Sequence, residues 1–404
     1  MTGPFREPSR AEEYFNSGCL HEENNEFEQA LAAFEAAIQL EPDRADFLAR
    51  RGKLYRRLHR FEEALADFDR AIALLPEDAD LLFSRGNIHF LRRDYAAARH
   101  DYDRVLALDP DNLKARYNRG RAALALDLLE EASADFEAVL AANPHDTAAL
   151  VSRGAAAEAA GRYADAVADY TQALTLDPDD AVVYLGRGNC YAALGQVEPA
   201  LADYRRALAL DSQEWRAWVG QALIFEAQND LPQAREAYTA ALRLHPTAAA
   251  YIGRGTVHLR LGDLPDALED FAAAIKLDPR DARASLGRGM VYLAQGDWFR
   301  GKANFEQALR LDSRLAAAHS GRGDCHREMG DLPAAIEDYS RAIELSPNEA
   351  HLYVRRGNCL AHLGNLDAAL ADYSQALSLD PDNSTARHNR DVVYAKKTAG
   401  QDNR

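Results

Sequence analysis

Apolar residues recur along this chain at intervals of three and four, in paired stretches such as 147–160 and 164–176. These stretches are too long for ordinary β-strands, and their spacing is that of one helix face. Between the stretches of a pair stand residues that end one helix and begin the next, such as Gly262 followed by Asp263 and Pro265. A Leu-Asp-Pro run then ends the second stretch, because proline removes a donor and restricts the residue before it. The pattern predicts a succession of short helix pairs.

The helix pairs repeat with a period of 34 residues. Numbering repeat positions from Ala11 places glycine at position 8 in ten of eleven repeats, which run from Ala11 to Asn383. The seventh repeat, 215–247, is one residue shorter than the others. A fixed period of this size predicts a repeat array in which neighbouring helix pairs bury a continuous core. The glycines at position 8 are Gly18, Gly52, Gly86, Gly120, Gly154, Gly188, Gly255, Gly289, Gly323 and Gly357.

Three further positions are nearly constant: position 20 is alanine in ten repeats, position 24 is always aromatic, and position 32 is proline in nine. In these positions the chain resembles the tetratricopeptide repeat family, and the resemblance covers the full array. It implies an all-α, right-handed α-solenoid, or superhelix, in which the first helices line a concave groove. Positions 2, 5, 6, 9 and 13 of family members usually point into that groove.

The period divides the chain into four segments. Residues 1–10 contain no apolar core and are expected to be a disordered tail, followed by the eleven repeats over 11–383. Residues 384–399 match a first helix without a second, and their polar composition is typical of a terminal cap. Residues 400–404 are expected to be a second disordered tail.

Composition limits the classes of function. The net charge of −17 disfavours nucleic-acid binding, which needs a dominant basic surface. No apolar run is long enough for a membrane span, and four cysteines do not suggest a disulfide framework. We expect a cytoplasmic protein. We also expect no catalytic residues, cofactor or metal, because the sequence contains no recognised catalytic motif and its histidines are scattered. Those at position 11 look like core substitutes for aromatic residues; they are His21, His89, His258 and His326.

Arginine occupies position 7 in nine repeats, and the same nine repeats carry Asp or Asn at position 23. The two repeats without the arginine, at Ser17 and Gln221, carry Ala33 and Ala237 instead of the acid. These joint losses favour a structural ion pair between the two helices of each repeat, as in Arg153 with Asp169, over a ladder of ligand-binding arginines.

Two regions of the predicted groove are candidates for partner binding. The first is basic, and an acidic peptide or carboxylate is its expected ligand; internal neutralisation by the preceding acidic repeat, through Glu22 and Glu23, is the alternative. Its candidate residues are Arg50, Lys53, Arg57, Asn87, Asn118 and Arg121.

The second region, which we call the glycine region, carries glycine at position 6 in five successive repeats. Glycine within a helix costs about 0.5–1 kcal/mol relative to alanine, so something should offset the cost. One interpretation is close packing against a large neighbouring side chain, and the other is a bare strip that a partner approaches. The candidate residues are Gly186, Asn189, Gly220, Leu223, Gly253, Thr256, Gly287, Met290, Gly321, Asp324 and Asn358.

The sequence thus predicts a non-catalytic scaffold or adaptor whose groove binds an extended or helical segment of another protein. One alternative is an adaptor of the co-chaperone type, which binds acidic C-terminal peptides. That type needs a particular set of Asn and basic residues over three repeats, and Ala148 and Ser152 stand where basic residues are required. Another alternative is a non-catalytic relative of the repeat-bearing glycosyltransferases, whose catalytic domain has no counterpart in this sequence.

Overall fold

The computed structural model describes residues 8–402, which form 23 α-helices and no β-strand. Each of the eleven predicted repeats corresponds to one helix pair. The first helices are α1 Arg10–Glu23, α3 Ala45–Arg57, α5 Ala79–Leu91, α7 Leu113–Ala125, α9 Thr147–Ala159, α11 Ala181–Ala193, α13 Trp215–Ala227, α15 Ala248–Leu261, α17 Ala282–Ala294, α19 Ala316–Glu328 and α21 Ala350–His362. The second helices are α2 Phe27–Leu40, α4 Phe61–Leu74, α6 Tyr95–Leu108, α8 Leu129–Ala142, α10 Tyr163–Leu176, α12 Val197–Leu210, α14 Leu231–Leu244, α16 Leu264–Leu277, α18 Trp298–Leu311, α20 Leu332–Leu345 and α22 Leu366–Leu379.

The chain ends differ in detail from the expected segments. Helix α1 begins at Arg10 with Ser9 as its N-cap, so the last residues of the expected N-terminal tail are ordered. Helix α23, Ser384–Asp402, extends the cap helix beyond 399. Residues 1–7, 403 and 404, which belong to the two expected tails, lie outside the described residues.

The array divides into two compact halves, one ending at Leu210 and the other beginning at Asp211. The boundary falls just before the short seventh repeat, which is also one of the two without the position 7 arginine. Within each half, the first helix of a repeat packs on its own second helix, which packs on the next first helix. Among the described helices, none has both the length and the apolar composition to cross a membrane.

The turn between the two helices of a repeat depends on one left-handed residue at position 15. The predicted glycine caps are confirmed, with φ between 72° and 85° at Gly195, Gly262, Gly296, Gly330 and Gly364. Other repeats place non-glycine residues in the same conformation, for example His59 with φ 58° and Arg93 with φ 63°. A left-handed residue therefore ends the first helix whether or not glycine is present.

The core is a column of aromatic rings at position 24, which are 0–4% exposed in all eleven repeats. Alanines at position 20 leave room for the neighbouring helices, and Ala30 and Ala64, for example, have no exposed surface. Burial of each ring stabilises the fold by roughly 1.5–3 kcal/mol relative to an exposed ring. The aromatic and alanine positions of the sequence pattern are thus the packing positions of the fold.

The predicted Arg–Asp pairs are confirmed. Arg153 donates from Nε and Nη2 to the two carboxylate oxygens of Asp169, at 2.8 and 2.6 Å. In the repeat that has Asn304 instead of Asp, Arg288 donates to its amide oxygen at 2.6 Å. The Asp side chains are buried, so their charge needs this partner. The other pairs are Arg51–Asp67, Arg85–Asp101, Arg119–Asp135, Arg187–Asp203, Arg254–Asp270, Arg322–Asp338 and Arg356–Asp372.

These arginines also join one repeat to the next, which the sequence analysis did not predict. In five of the nine, the remaining guanidinium nitrogen, Nη1, donates to an acceptor at position 25 of the preceding repeat. Arg85 reaches Asp69 at 2.7 Å, and Arg254 reaches Thr239 at 3.1 Å. A single arginine column therefore holds the helices of a repeat together and connects neighbouring repeats.

Candidate functional site

First helices of successive repeats contact each other within each half, so their positions 2, 6, 9 and 13 follow one another along a continuous surface. We call this surface the first-helix face of each half. It carries the residues that the sequence analysis assigned to partner binding. The structure shows which of them have internal partners and which remain free to meet a ligand.

Four of the five glycines at position 6 pack against the position 24 ring of the preceding repeat. An ideal Cβ on Gly253 would lie 2.4 Å from Tyr238 Cζ, and one on Gly287 would lie 2.3 Å from Phe271. An ideal Cβ on Gly321 would lie 2.4 Å from the Phe305 ring, and one on Gly186 would lie 3.1 Å from the Tyr170 ring. Contacts under 3.0 Å force a shift of the neighbouring atoms.

This geometry supports the packing interpretation of the glycine region. The other interpretation, a bare strip that a partner approaches, is wrong for Gly287 and Gly321, because both glycines are buried. Gly186, Gly220 and Gly253 are half-buried on their helices. A ring inserted over the backbone offsets the helix-propensity cost of the glycines, because the ring gains contacts that a side chain at position 6 would block.

The polar residues at position 9 accept hydrogen bonds from the tyrosine hydroxyls of the core. Tyr204 donates to Asn189 at 3.0 Å and Tyr373 donates to Asn358 at 2.8 Å. Tyr339 donates to Asp324 at 2.7 Å. A buried hydroxyl needs such a partner. Asn189, Asn358 and Asp324 therefore have a structural role, in addition to any contact that they make with a ligand.

The other three candidates of the glycine region differ in their environment. The hydroxyl of Thr256 donates to the carbonyl of Ile252 at 2.8 Å, within its own helix. Leu223 and Met290 are 55% and 45% exposed, unlike the core leucines. Exposed apolar side chains on this face are available to an apolar partner.

The basic region has internal partners for most of its residues. Arg50 donates to Glu22 at 2.7 Å, which supports the alternative of internal neutralisation at that position. Arg57 donates to Asn25 at 2.9 Å, and the Arg121 guanidinium lies 4.6 Å from the centre of the Phe90 ring.

Two asparagines and one lysine complete the basic region. Asn118 donates to Asn87 at 3.0 Å, and Asn87 also accepts from Tyr102. Among the described residues, Lys53 has no ion-pair partner and its side chain is exposed. Lys53 is therefore the residue of this region that can pair with an acidic ligand at the smallest cost.

A cavity of about 380 Å³ opens on the first-helix face of the C-terminal half, between α17, α19 and α21. Met290, Phe305 and Leu352 supply its apolar lining, while Arg355 and His351 supply polar groups. Apolar walls with a few fixed polar groups are typical of ligand sites. The cavity contains two predicted glycine-region residues besides Met290, namely Gly321 and Asp324.

Arg355 is held in place at the edge of this cavity. Its Nη1 donates to the Ser320 hydroxyl at 2.9 Å and to the Asp324 carboxylate. Within the described part of the chain, Nε and Nη2 of Arg355 make no hydrogen bond, so they remain available to an incoming acceptor. Burial and, second, the neighbouring Arg355 charge lower the pKa of His351. An anionic or carbonyl group of a ligand suits this environment.

The buried thiols offer no activated nucleophile. Burial raises the pKa of Cys190 and of Cys325 to about 12, so both thiols are protonated near neutral pH. Cys359 is buried as well, so the three cysteines at position 10, Cys190, Cys325 and Cys359, are core residues.

The sequence analysis missed the cavity and Arg355. Arg355 occupies position 6, where the preceding five repeats have glycine, and this change from glycine to arginine was the signal that could have drawn attention to it. The tyrosine partners had a signal too, because position 9 is Asn or Asp in four repeats that carry tyrosine at position 24. In those four the position 9 residue accepts the tyrosine hydroxyl.

Solved structures resemble the fold. The Cut9–Hcn1 hetero-tetramer of the APC/C matches with a TM-score of 0.53 and 17% identity, over 95% of this chain and 96% of that chain. Yeast Tom70 matches with a TM-score of 0.43 and 15% identity, over 97% of this chain and 96% of that chain. At these identities the likeness concerns the fold alone. A search of curated proteins finds no significant match.

Two family models, both described as tetratricopeptide repeat, match the sequence over most of its length. One matches residues 15–79, 50–112, 185–249, 252–300, 289–350 and 326–384, and the other matches 89–152 and 157–202. The matched segments follow the helix pairs and the packing positions described above. The chain belongs to the tetratricopeptide repeat family.

Proposed function

We propose that this chain is a non-catalytic scaffold that binds a segment of a partner protein along its first-helix face. The observation that carries the proposal is the cavity between α17, α19 and α21, which combines an apolar lining with the oriented Arg355. An apolar side chain of the partner segment would insert beside Met290 and Leu352. A carboxylate or backbone carbonyl of the segment would accept from Nη2 of Arg355.

Fold and composition support this role. Helical repeat arrays present long continuous surfaces, and each repeat adds a small area to the same surface. A cytoplasmic location is part of the proposal, supported by four cysteines that are all free, as is usual in a reducing compartment.

The proposal is tested with a variant that fills the cavity from its exposed side. Ala317, at position 2 of α19, lines the cavity and is exposed, so Ala317→Trp should block it without disturbing the core. Ala148 is an exposed alanine at the same repeat position in the N-terminal half, and Ala148→Trp is the matched control.

Peptides would be selected from a phage-displayed random library on the full chain, and their affinities measured by titration calorimetry. We expect Ala317→Trp to weaken the selected peptides by about tenfold or more, because the insertion site is lost. Ala148→Trp should leave their affinity unchanged. Failure to enrich any peptide, or an equal loss in both variants, would contradict binding at this cavity.

A second candidate ligand is an acidic peptide at the basic region, favoured by the exposed and unpaired Lys53 among the described residues. Lys53→Glu should then weaken binding of an acidic peptide, and the affinity should fall as salt rises, since screening shortens the range of the attraction. A neutral peptide selected on the same protein serves as the control.

A further inference from the structure

Three polar residues of the eighth repeat converge where its first helix ends and its second begins. His258 lies in the last turn of α15, Asp263 is the residue just before α16, and Asp266 lies in the first turn of α16. One ligand atom from each residue lies within 4.8 Å of the corresponding atoms of the other two. An imidazole nitrogen and two carboxylate oxygens at this separation form a donor set suited to a divalent transition metal.

The histidine at the centre of this cluster is buried and lacks a hydrogen bond on one ring nitrogen. His258 is 9% exposed, and its buried Nδ1 has no hydrogen-bond partner among the residues that the structure describes. The Asp263 carboxylate lies 3.5 Å from Nδ1, and a carboxylate oxygen of Asp266 lies within 4.8 Å of the ligand atoms of both residues. A buried polar atom without a partner carries a cost that a bound ion would remove.

The other ring nitrogen has a carboxylate nearby, at a distance longer than a hydrogen bond. His258 Nε2 lies 3.8 Å from the carboxylate of Asp270, which itself pairs with Arg254. A carboxylate behind the far nitrogen favours the tautomer with its proton on Nε2 and leaves Nδ1 as the donor to a metal.

The tenth repeat shows what the eighth repeat adds. There His326 Nδ1 lies 3.7 Å from Asp331 in the same arrangement, but Ala334 stands at the position of Asp266. The Asp331 side chain also accepts from the Ala334 backbone at 3.2 Å as a helix cap. Asp263 is the N-cap residue of α16, as predicted, but within the described chain its side chain makes no capping hydrogen bond. The eighth repeat thus combines a carboxylate released from capping with a second acidic ligand, Asp266.

We propose that His258, Asp263 and Asp266 bind Zn²⁺, with water in the remaining coordination position. Nδ1 of His258 and one oxygen from each carboxylate would be the protein ligands. Arg235 opposes the ion, because its Nη1 lies 3.4 Å from Asp263 and competes for the same oxygen. Its side chain is 41% exposed and can turn toward solvent when the metal binds. Binding therefore exchanges a weak surface ion pair for a metal–carboxylate bond.

The test measures Zn²⁺ binding to the untagged full chain by titration calorimetry after treatment with a chelator. We expect one tight equivalent per chain, weakened by at least about tenfold in His258→Phe and in Asp266→Ala, which each remove a ligand. Phenylalanine is chosen because Phe225 occupies the same position in the seventh repeat. Asp266 is exposed, so Asp266→Ala tests the site even where the buried substitution fails to fold.

Two further variants separate this site from adventitious binding to an acidic surface. His326→Phe changes the matching histidine of the tenth repeat and should leave the affinity unchanged. Arg235→Gln should tighten binding, because it removes the competing cation. Equal affinity of the wild-type chain and Asp266→Ala, or an equal loss in His326→Phe and His258→Phe, would overturn the proposal.

Discussion

Position 6 of the first helix is occupied in two different ways along this chain. In the fourth repeat it is Asn118, which donates to Asn87 of the preceding repeat, and Asn87 also accepts from Tyr102. In the ninth repeat it is Gly287, and the Phe271 ring of the preceding repeat lies where a side chain would begin. We call such a contact between position 6 and the preceding repeat a junction. The Asn118 junction reaches the position 24 ring through hydrogen bonds, and the Gly287 junction contacts the equivalent ring by direct packing.

The two arrangements are two ways of packing neighbouring repeats within the same fold. Asn118 and Arg355 each donate to an acceptor at position 9 of the preceding repeat, whereas a glycine such as Gly287 lets the ring pack directly on the backbone. Arg355 returns to the polar kind of junction directly after the glycine region, with Asp324 as its acceptor. The cavity proposed as the binding site lies at this change from glycine to polar junction.

The largest expected effect concerns the Arg–Asp pairs, which occur in repeats with either kind of junction. Asp169→Ala would leave Arg153 without its buried partner and should destabilise the chain by about 2–4 kcal/mol. The double variant Arg153→Gln, Asp169→Ala copies the natural Gln221 and Ala237 pair and should recover much of the loss. Denaturant unfolding measures both. Additive losses in the double variant would show that the two side chains are not coupled. That result would contradict a structural ion pair between Arg153 and Asp169.

The second prediction tests the packed junction. Gly287→Ala places a methyl group against the Phe271 ring and should cost about 1–3 kcal/mol by overpacking, despite the better helix propensity of alanine. The matched control is Ser84→Ala, at the same position in the third repeat, which should be close to neutral because it adds no atom. Thermal unfolding compares them. An increase in the melting temperature of Gly287→Ala would show that position 6 is open in the glycine region.

The third prediction tests the polar junction. Asn118→Ala removes the hydrogen bond to Asn87 and should cost about 1 kcal/mol. Asn16 occupies the same position in the first repeat, and its side chain is exposed. Asn16→Ala is therefore the control and should have little effect on denaturant unfolding. Equal losses in both variants would mean that helix propensity, rather than the junction, sets the effect.

The fold was predictable because the array serves as its own alignment. Position 8, position 24 and the Arg–Asp column repeat often enough to identify the helix pairs and even the internal ion pairs. The candidate site was less predictable, because the same residue types serve in ligand binding and in hydrogen bonds within the core. Asn87 and Asp324 have the composition of ligand-binding residues, yet each accepts a tyrosine hydroxyl from the core. Spacing alone does not show which hydrogen-bond partner a side chain takes.

The smallest expected effect concerns the cavity where the glycine junctions end. Burial and the Arg355 charge lower the pKa of His351 in the folded chain, so the unfolded chain binds more protons as the pH falls through about 6.5, the ordinary value for histidine. The contribution of this histidine is therefore present above that pH and is lost as the pH falls through it. Its effect should stay below about 1.4 kcal/mol per pH unit, the limit for one proton, and solvent screening reduces it further because the side chain is 54% exposed.

Denaturant unfolding between about pH 5 and 7.5, the range around the histidine pKa, measures this effect in the wild-type chain and in His351→Gln. We expect the variant to lose less stability than the wild-type chain as the pH falls, because glutamine does not titrate. Arg355→Gln should shift the wild-type profile in the same direction, since it removes the charge that opposes protonation. A steeper loss of stability in His351→Gln would mean that the protonated histidine is stabilised in the folded chain, and the cavity would then favour a cation rather than the carboxylate or carbonyl group proposed for it.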